Sequence, residues 1–297
     1  MSAETDVSGL AGHLAGWSPA PIEQVGRVSS WSVGAFAGVL DQPSPLANGQ
    51  LPPMWHWFGF LDHPAQAEIG ADGHPAGGHF MPPIPDRRRM FAGGRWTGHR
   101  PFPVDADLTR RSSVTSMEVK SGRSGEMAFV TVLNEFRHDG ELAVSEEQDI
   151  VYRSQPDPAP SATPPAAKPP APPEQVDEPP AEHALTLLPD APLLFRLSAL
   201  TYNTHRIHYD LPYATGVEGY PGLVVHGPLL ALLALELPRR FAPGSRVTGF
   251  SYRLRRPAFA GTPVRARTLS TDGEWDVAVG VPGTAPSLTA SVRLVAG

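Results

Sequence analysis

The chain has 297 residues, 41% of them hydrophobic and 18% charged, which is enough for two domains with real cores. Its formal net charge of -6 argues against nucleic acid as a partner. The absence of cysteine excludes thiol catalysis, thiolate metal sites and disulfides.

The first residues have neither a basic start nor a long apolar core, so no signal peptide is expected. The longest apolar run, near Leu229–Leu235, is too short to span a bilayer. A cytoplasmic protein with no membrane partner is the expectation. In the first half, Trp31–Leu40 reads as a helix and Trp55–Leu61 (WHWFGFL) as a second apolar segment. Strand-like runs follow at Ser112–Ser121, Glu126–His138 and Glu141–Arg153. His63, His99 and His138 read as ordinary structural hydrogen bonders.

Proline is abundant, with 35 residues, and concentrates in a stretch of Pro, Ala and acidic side chains that has almost nothing to bury. It predicts an extended, semi-rigid linker over 155–185, dividing the chain into domains at 1–154 and 186–297.

The second half opens with Leu193, Leu197 and Leu200 at helical spacing within Ala191–Tyr202. Asn203, His205, Arg206, His208 and Asp210 come next. Asn203 and His208 are five apart, so they converge only if the helix ends near Tyr202 and the chain bends back. Asp210 suits a cap on the turn that follows.

His226-Gly227-Pro228 then opens a run to Leu237 that is apolar nearly all round, as in a helix buried on every side. Pro228 fits the first helical position, and Pro238 is expected to stop the helix. The free N–H groups and partial positive charge at Gly227 suit an oxyanion. Strands are expected at Ser245–Arg256, Thr262–Ser270, Glu274–Val281 and Ser287–Val295, as an antiparallel meander curled round the apolar helix. The order helix, apolar segment, meander occurs in both halves and suggests an old duplication. Only the second copy carries the Asn–His cluster and the His-Gly-Pro turn.

These residues resemble the MaoC-like hydratases and dehydratases of the hotdog fold. In that family a motif of Asp, then Asn two later and His five later precedes a His-Gly turn into the central helix. His208 and His226-Gly227 match, whereas Asn203 replaces the aspartate and His205 the asparagine. That departure is similar to the branch of mesaconyl-C4-CoA hydratases and type 2 hydroxyacyl-thioester dehydratases. MFAGGR (Met90–Arg95) and EEQDIVYR (Glu146–Arg153) are similar to the first half of that branch.

The resemblance implies an α+β fold of two fused hotdogs, the first degenerate and shaping the pocket, the second catalytic. It implies reversible addition of water to an α,β-unsaturated acyl-CoA, with a short branched dicarboxylic acyl group expected. The alternatives are a 3-hydroxyacyl-carrier-protein dehydratase, a thioesterase, or an acyl-thioester-binding regulator. His208 is the expected acid/base, Gly227 the oxyanion donor, and Asn203 orients water or substrate. His205, Arg206, His226, Arg253, Arg256 and Arg95 are expected to bind substrate, with Arg87–Arg89 and Arg255 as further phosphate candidates. No cofactor is expected, since coenzyme A is part of the substrate, and no metal, since no carboxylate or thiolate completes a ligand pattern with the histidines. Monomer and homodimer are both compatible with two fused hotdogs.

Overall fold

The structure is a computed structural model that describes residues 9–46, 49–85, 87–122, 125–154 and 174–297. The first half contains α1 (Leu10–Leu14), β1 (Ile22–Gly26), α2 (Ser30–Val39), β2 (Arg87–Gly98), β3 (Leu108–Gly122), β4 (Gly125–His138) and β5 (Glu141–Ser154). The second contains β6 (Ala184–Leu187), α3 (Ala191–Leu200), α4 (Leu211–Gly216), α5 (Gly227–Phe241), β7 (Ser245–Leu254), β8 (Val264–Ser270), β9 (Trp275–Gly280) and β10 (Leu288–Ala296).

All ten strands join in one antiparallel sheet of order β1-β3-β4-β5-β2-β7-β10-β9-β8-β6. Read inward from each edge, the two halves follow the same path, 1-3-4-5-2 and 6-8-9-10-7. This repeat is what duplication of one unit leaves behind. The halves meet where β2 pairs with β7, Gly94 opposite Tyr252 and Trp96 opposite Phe250. The meander expected in the second half holds for β8, β9 and β10, but β7 pairs with β10 rather than with β8.

Alternation along the strands sets which face is dry: in β4, Ala128, Val130, Val132, Asn134 and Phe136 are buried at every second position. In the second half β6 to β10 wrap α5, whose residues Leu229 to Pro238 are all buried, as an apolar helix requires. The helix runs through Pro238 for one more turn to Phe241, against the expected stop. Buried Glu236 receives the guanidinium groups of Arg239 and Arg240 there, and these contacts hold the last turn against the loss of one backbone N–H.

The corresponding place in the first half holds a single 3-10 turn, Trp55–Phe58, rather than a second apolar helix. Met54 and Phe60 have φ of 68° and 53°, and Gly59 passes so close to the Arg27 carbonyl that an added Cβ would lie 2.7 Å from it. These reversals break the run, and the missing helix leaves space beneath the sheet. Of the stretch expected as a linker, 155–173 lies outside the described residues. Residues 174–183 lie against the second half, with Glu178 bridging Arg265 and Arg267. A short strand, β6, follows from residue 184 and extends beside β8.

Candidate active site

The space left by the shortened first half is a cavity of about 850 Å³ lined by both halves. His205, His208, Asn203 and Gly227 come from the second half; Trp57, Phe60, His74, Phe91, Arg110, Phe136 and Glu146 come from the first.

The bend required of Asn203 and His208 is made at the end of α3. Tyr202 takes a left-handed backbone at φ 49°, and the Asn203 N–H donates to Ser198 O at 2.9 Å while Tyr202 N–H donates to Ala199 O. This is a Schellman closure with tyrosine where glycine is usual. Asn203 Oδ1 then accepts the His205 N–H at 3.0 Å. One side of the Asn203 amide is thereby committed to the loop. Asp210 caps α4 through the Tyr213 N–H, as expected.

His208 is buried, and its Nδ1 donates to Val224 O at 2.7 Å, which fixes the ring and leaves Nε2 unprotonated toward the cavity. Burial, partly offset by that hydrogen bond, holds its pKa down to about 4. His226 stacks on it at 3.7 Å with Nε2 on Ser198 Oγ at 2.9 Å, and is a buried support for the ring. His205 meets His208 edge-on at 5.4 Å and is pushed down to about 2 by burial and by His74 and His208.

Gly227 lies at the amino end of α5, where an N–H has no acceptor within the helix. A Cβ there would lie 2.5 Å from Leu254 Cδ1 on β7, a side-chain end that would have to turn aside to admit it.

Arg256 lines the cavity with a buried, unpartnered Nε, and Arg255 lines it too. Among the described residues neither meets a carboxylate. Three expected substrate ligands lie elsewhere. Arg95 is held by Glu147 and Asp149 on the other face of the sheet, and Arg253 lines the shallow depression beside it. Arg206 grips Asp210 at 2.8 Å and Ala71 O at 3.0 Å and stacks over Tyr213, so its charge is spent on the loop. Of the arginine cluster in the first half, only Arg89 reaches the cavity wall.

Three groups were not legible in the sequence. Arg110 lines the cavity with a buried, unpartnered Nε, while its other guanidinium nitrogens meet Phe60 O at 3.2 Å, Gln24 Oε1, and Asp62 at 3.8 Å. Glu146, fully buried, accepts from Trp57 Nε1 and Gln148 Nε2, each at 2.8 Å, and pairs with His56 Nε2 at 2.7 Å. Burial pushes its carboxyl up, but His56 and these donors outweigh that and hold it below the usual range. The third is a tight loop over 68–76 that reaches the catalytic motif. Arg206 N–H donates to Asp72 O at 2.9 Å and Thr204 Oγ1 to Gly73 O at 2.6 Å. This places His74 against His205, ring centroids 3.9 Å apart, with Asp72 Oδ2 on His74 Nδ1 at 3.0 Å. Burial raises the Asp72 pKa, but the two His74 donors prevail and bring it to about 2.

The buried histidines make acid stability predictable. Above pH 6.5 His208 is neutral folded and unfolded; between 6.5 and about 4 the unfolded chain takes up a proton that the folded site refuses. Stability therefore falls as pH drops through that window, by about 3 kcal/mol for His208 alone once pH is below 4. The melting temperature is expected to fall between pH 7 and pH 5, and by less in His208→Asn. Calorimetry showing identical acid slopes for both would refute this burial argument.

A sequence profile of the hydroxyacyl-thioester dehydratase type 2 family matches residues 54–260. The chain is 45% identical over 264 residues to a mesaconyl-C4-CoA hydratase of Chloroflexus aurantiacus, covering 88% of this chain and 90% of that one. It is 38% identical over 96 residues to a mitochondrial type 2 hydroxyacyl-thioester dehydratase of Schizosaccharomyces pombe, about a third (32%) of each chain. In fold it is similar to a MaoC-like dehydratase of Phytophthora capsici, with TM-score 0.66, 13% identity and coverage of 94% and 96%. HtdX of Mycobacterium tuberculosis matches with TM-score 0.61, 16% identity and coverage of 93% and 100%. These structures share the double hotdog. Among the described residues no helix is long and apolar enough to cross a membrane.

Proposed function

The chain belongs to the hydroxyacyl-thioester dehydratase type 2 family and is a hydro-lyase of enoyl thioesters; we propose that its substrate is a short dicarboxylic acyl-CoA such as mesaconyl-CoA. The observation that carries this reading is a cavity with an unprotonated histidine and a helix-tip N–H in one half and an arginine in the other.

His208 Nε2 takes a proton from water as the oxygen bonds to the β-carbon. The π electrons move onto the thioester oxygen, where Gly227 N–H and the α5 dipole meet the growing charge. One such donor contributes about 3 kcal/mol to lowering a barrier. The α-carbon then needs a proton, which Asn203 cannot supply because an amide has no acidic group. Its free amide N–H serves instead to orient water or substrate. His205 and Arg256 complete the substrate-binding set, with Arg256 suited to a phosphate of coenzyme A, whereas His226, expected to bind substrate, stays behind His208 as its support.

Arg110 lies on β3, separated from β7 by β4, β5 and β2, opposite Phe136 of β4 and with its guanidinium over the Phe60 ring. An arginine on an aromatic wall suits a free carboxylate at the far end of the acyl group. Trp57 belongs to that wall, whereas Trp55 and Phe58 pack beneath it in the core. Arg110→Met is expected to raise KM for mesaconyl-C4-CoA by about 30-fold or more, since loss of a charged hydrogen bond costs about 2 kcal/mol, and to leave crotonyl-CoA nearly unaffected. An equal change for both substrates would remove Arg110 as the carboxylate partner.

The test of the reading itself is the loss of enoyl-thioester absorbance with each of these substrates. Turnover confined to acyl groups on a carrier protein would favour the carrier-protein dehydratase, and binding without turnover the regulator. The reading needs no metal or other cofactor, and the reaction belongs to the cytoplasm.

A further inference from the structure

The second half lacks the carboxylate that the family motif carries, and the first half brings one back. Asp72 and His74 sit on a loop held by the catalytic motif through Arg206 N, Thr204 Oγ1 and the Arg206 guanidinium. Asp72 accepts both the backbone N–H of His74, at 2.9 Å, and its Nδ1–H, at 3.0 Å. A carboxylate bonded to Nδ1 fixes the tautomer and turns Nε2 outward, as in a hydrolase triad. His74 lines the cavity and lies one imidazole, His205, away from His208.

We propose that His74, oriented by Asp72, is the second acid/base group of the hydration, giving the α-carbon its proton while His208 takes one from water. This rests on the hydratase reading above. In hydration the His74 Nε2–H bond breaks as the Cα–H bond forms, and the electron pair comes from the enolate. Water loses a proton to His208 Nε2 as its oxygen bonds to Cβ, so the sum is one water added, and exchange with solvent then takes the proton from His208 and restores one to His74. In dehydration His74 removes the α-proton, and His208 protonates the departing hydroxyl. Asp72 balances the charge when His74 holds both protons. The other ionisable groups facing His74 are His205 and His208 from the motif, with Arg88 of β2 further out.

The roles separate when the leaving group needs no proton. Wild type, His74→Gln, Asp72→Asn and His208→Ala are compared on 3-hydroxybutanoyl-CoA and 3-chlorobutanoyl-CoA, following enoyl-thioester formation. His74→Gln is expected to lose about 10²-fold or more in kcat on both, with KM little changed. Asp72→Asn, a positioning variant, is expected to lose about tenfold in kcat on both at unchanged KM. His208→Ala is expected to fail on the hydroxy substrate and regain turnover on the chloro one.

Near-normal kcat for His74→Gln on both substrates, while His208→Ala is dead on the hydroxy compound, overturns the proposal and leaves the hydratase intact. Rescue of His74→Gln by the chloro substrate overturns it too, since His74 would then act on the leaving group. Asp72, His74 and His205 also offer donor atoms within 4.8 Å of one another. Stoichiometric metal in the purified wild type, with activity lost on chelation, would overturn the proposal in favour of a cation. A wild type inert on these compounds and on mesaconyl-C4-CoA removes the hydratase reading, and the proposal with it.

Discussion

His208→Ala and His208→Asn are both expected to lower kcat for hydration by about 10³-fold, within the range general acid–base groups contribute, while KM changes little. The pair separates chemistry from structure. Alanine leaves the buried Val224 carbonyl without its donor, a loss that costs stability by itself. Asparagine can place an amide N–H where Nδ1 stood, but it offers no base where Nε2 stood. If hydration continued within tenfold of wild type in His208→Asn, the proton would be leaving water by another route. Steady-state kinetics on mesaconyl-C4-CoA decides this, with product binding measured in parallel to show that the cavity still fills.

Gly73→Ala is expected to lower kcat by about 10²-fold, the scale of a 1 Å misplacement of a reacting group, and to lower the melting temperature by only a few degrees. Gly73 has φ +89°, and an added Cβ would lie 1.9 Å from the Thr204 carbonyl oxygen. That oxygen belongs to backbone, so no rotamer change relieves the clash. The left-handed conformation itself costs about 1–2 kcal/mol in an L residue. The loop therefore backs away and takes His74 off His205, while both cores stay packed. An unchanged kcat together with an unchanged melting temperature would mean that the loop tolerates displacement and positions nothing in catalysis.

Legibility in the sequence followed distance along the chain. His208, Asn203 and the His-Gly-Pro turn stand within a few turns of α5, so spacing and an apolar run are enough to assemble them. The same signals failed in WHWFGFL, where hydrophobicity suggested a helix but two positive-φ residues and a glycine allow one 3-10 turn. Arg95 looked free because nothing in sequence shows Glu147 and Asp149 closing on it; Arg206 has Asp210 four residues on, a legible pair, but its other partner, Ala71, is 135 residues away. Asp72 and His74 carry no periodicity at all. They meet the motif only through tertiary contacts, such as that between Thr204 and Gly73, 131 residues apart.

Those contacts have a consequence for how the two halves can vary. The motif holds the loop through the main-chain oxygens of Ala71, Asp72 and Gly73, and the β2–β7 seam is likewise backbone on backbone. Main-chain acceptors are the same in every amino acid. A chimaera joining the first half of one relative to the second half of another must therefore keep the Thr204 and Arg206 side-chain donors and the glycines at 73 and 93, where a Cβ would meet a backbone oxygen, and cannot insert or delete a residue between 68 and 76. Spacing in that loop is the heritable quantity.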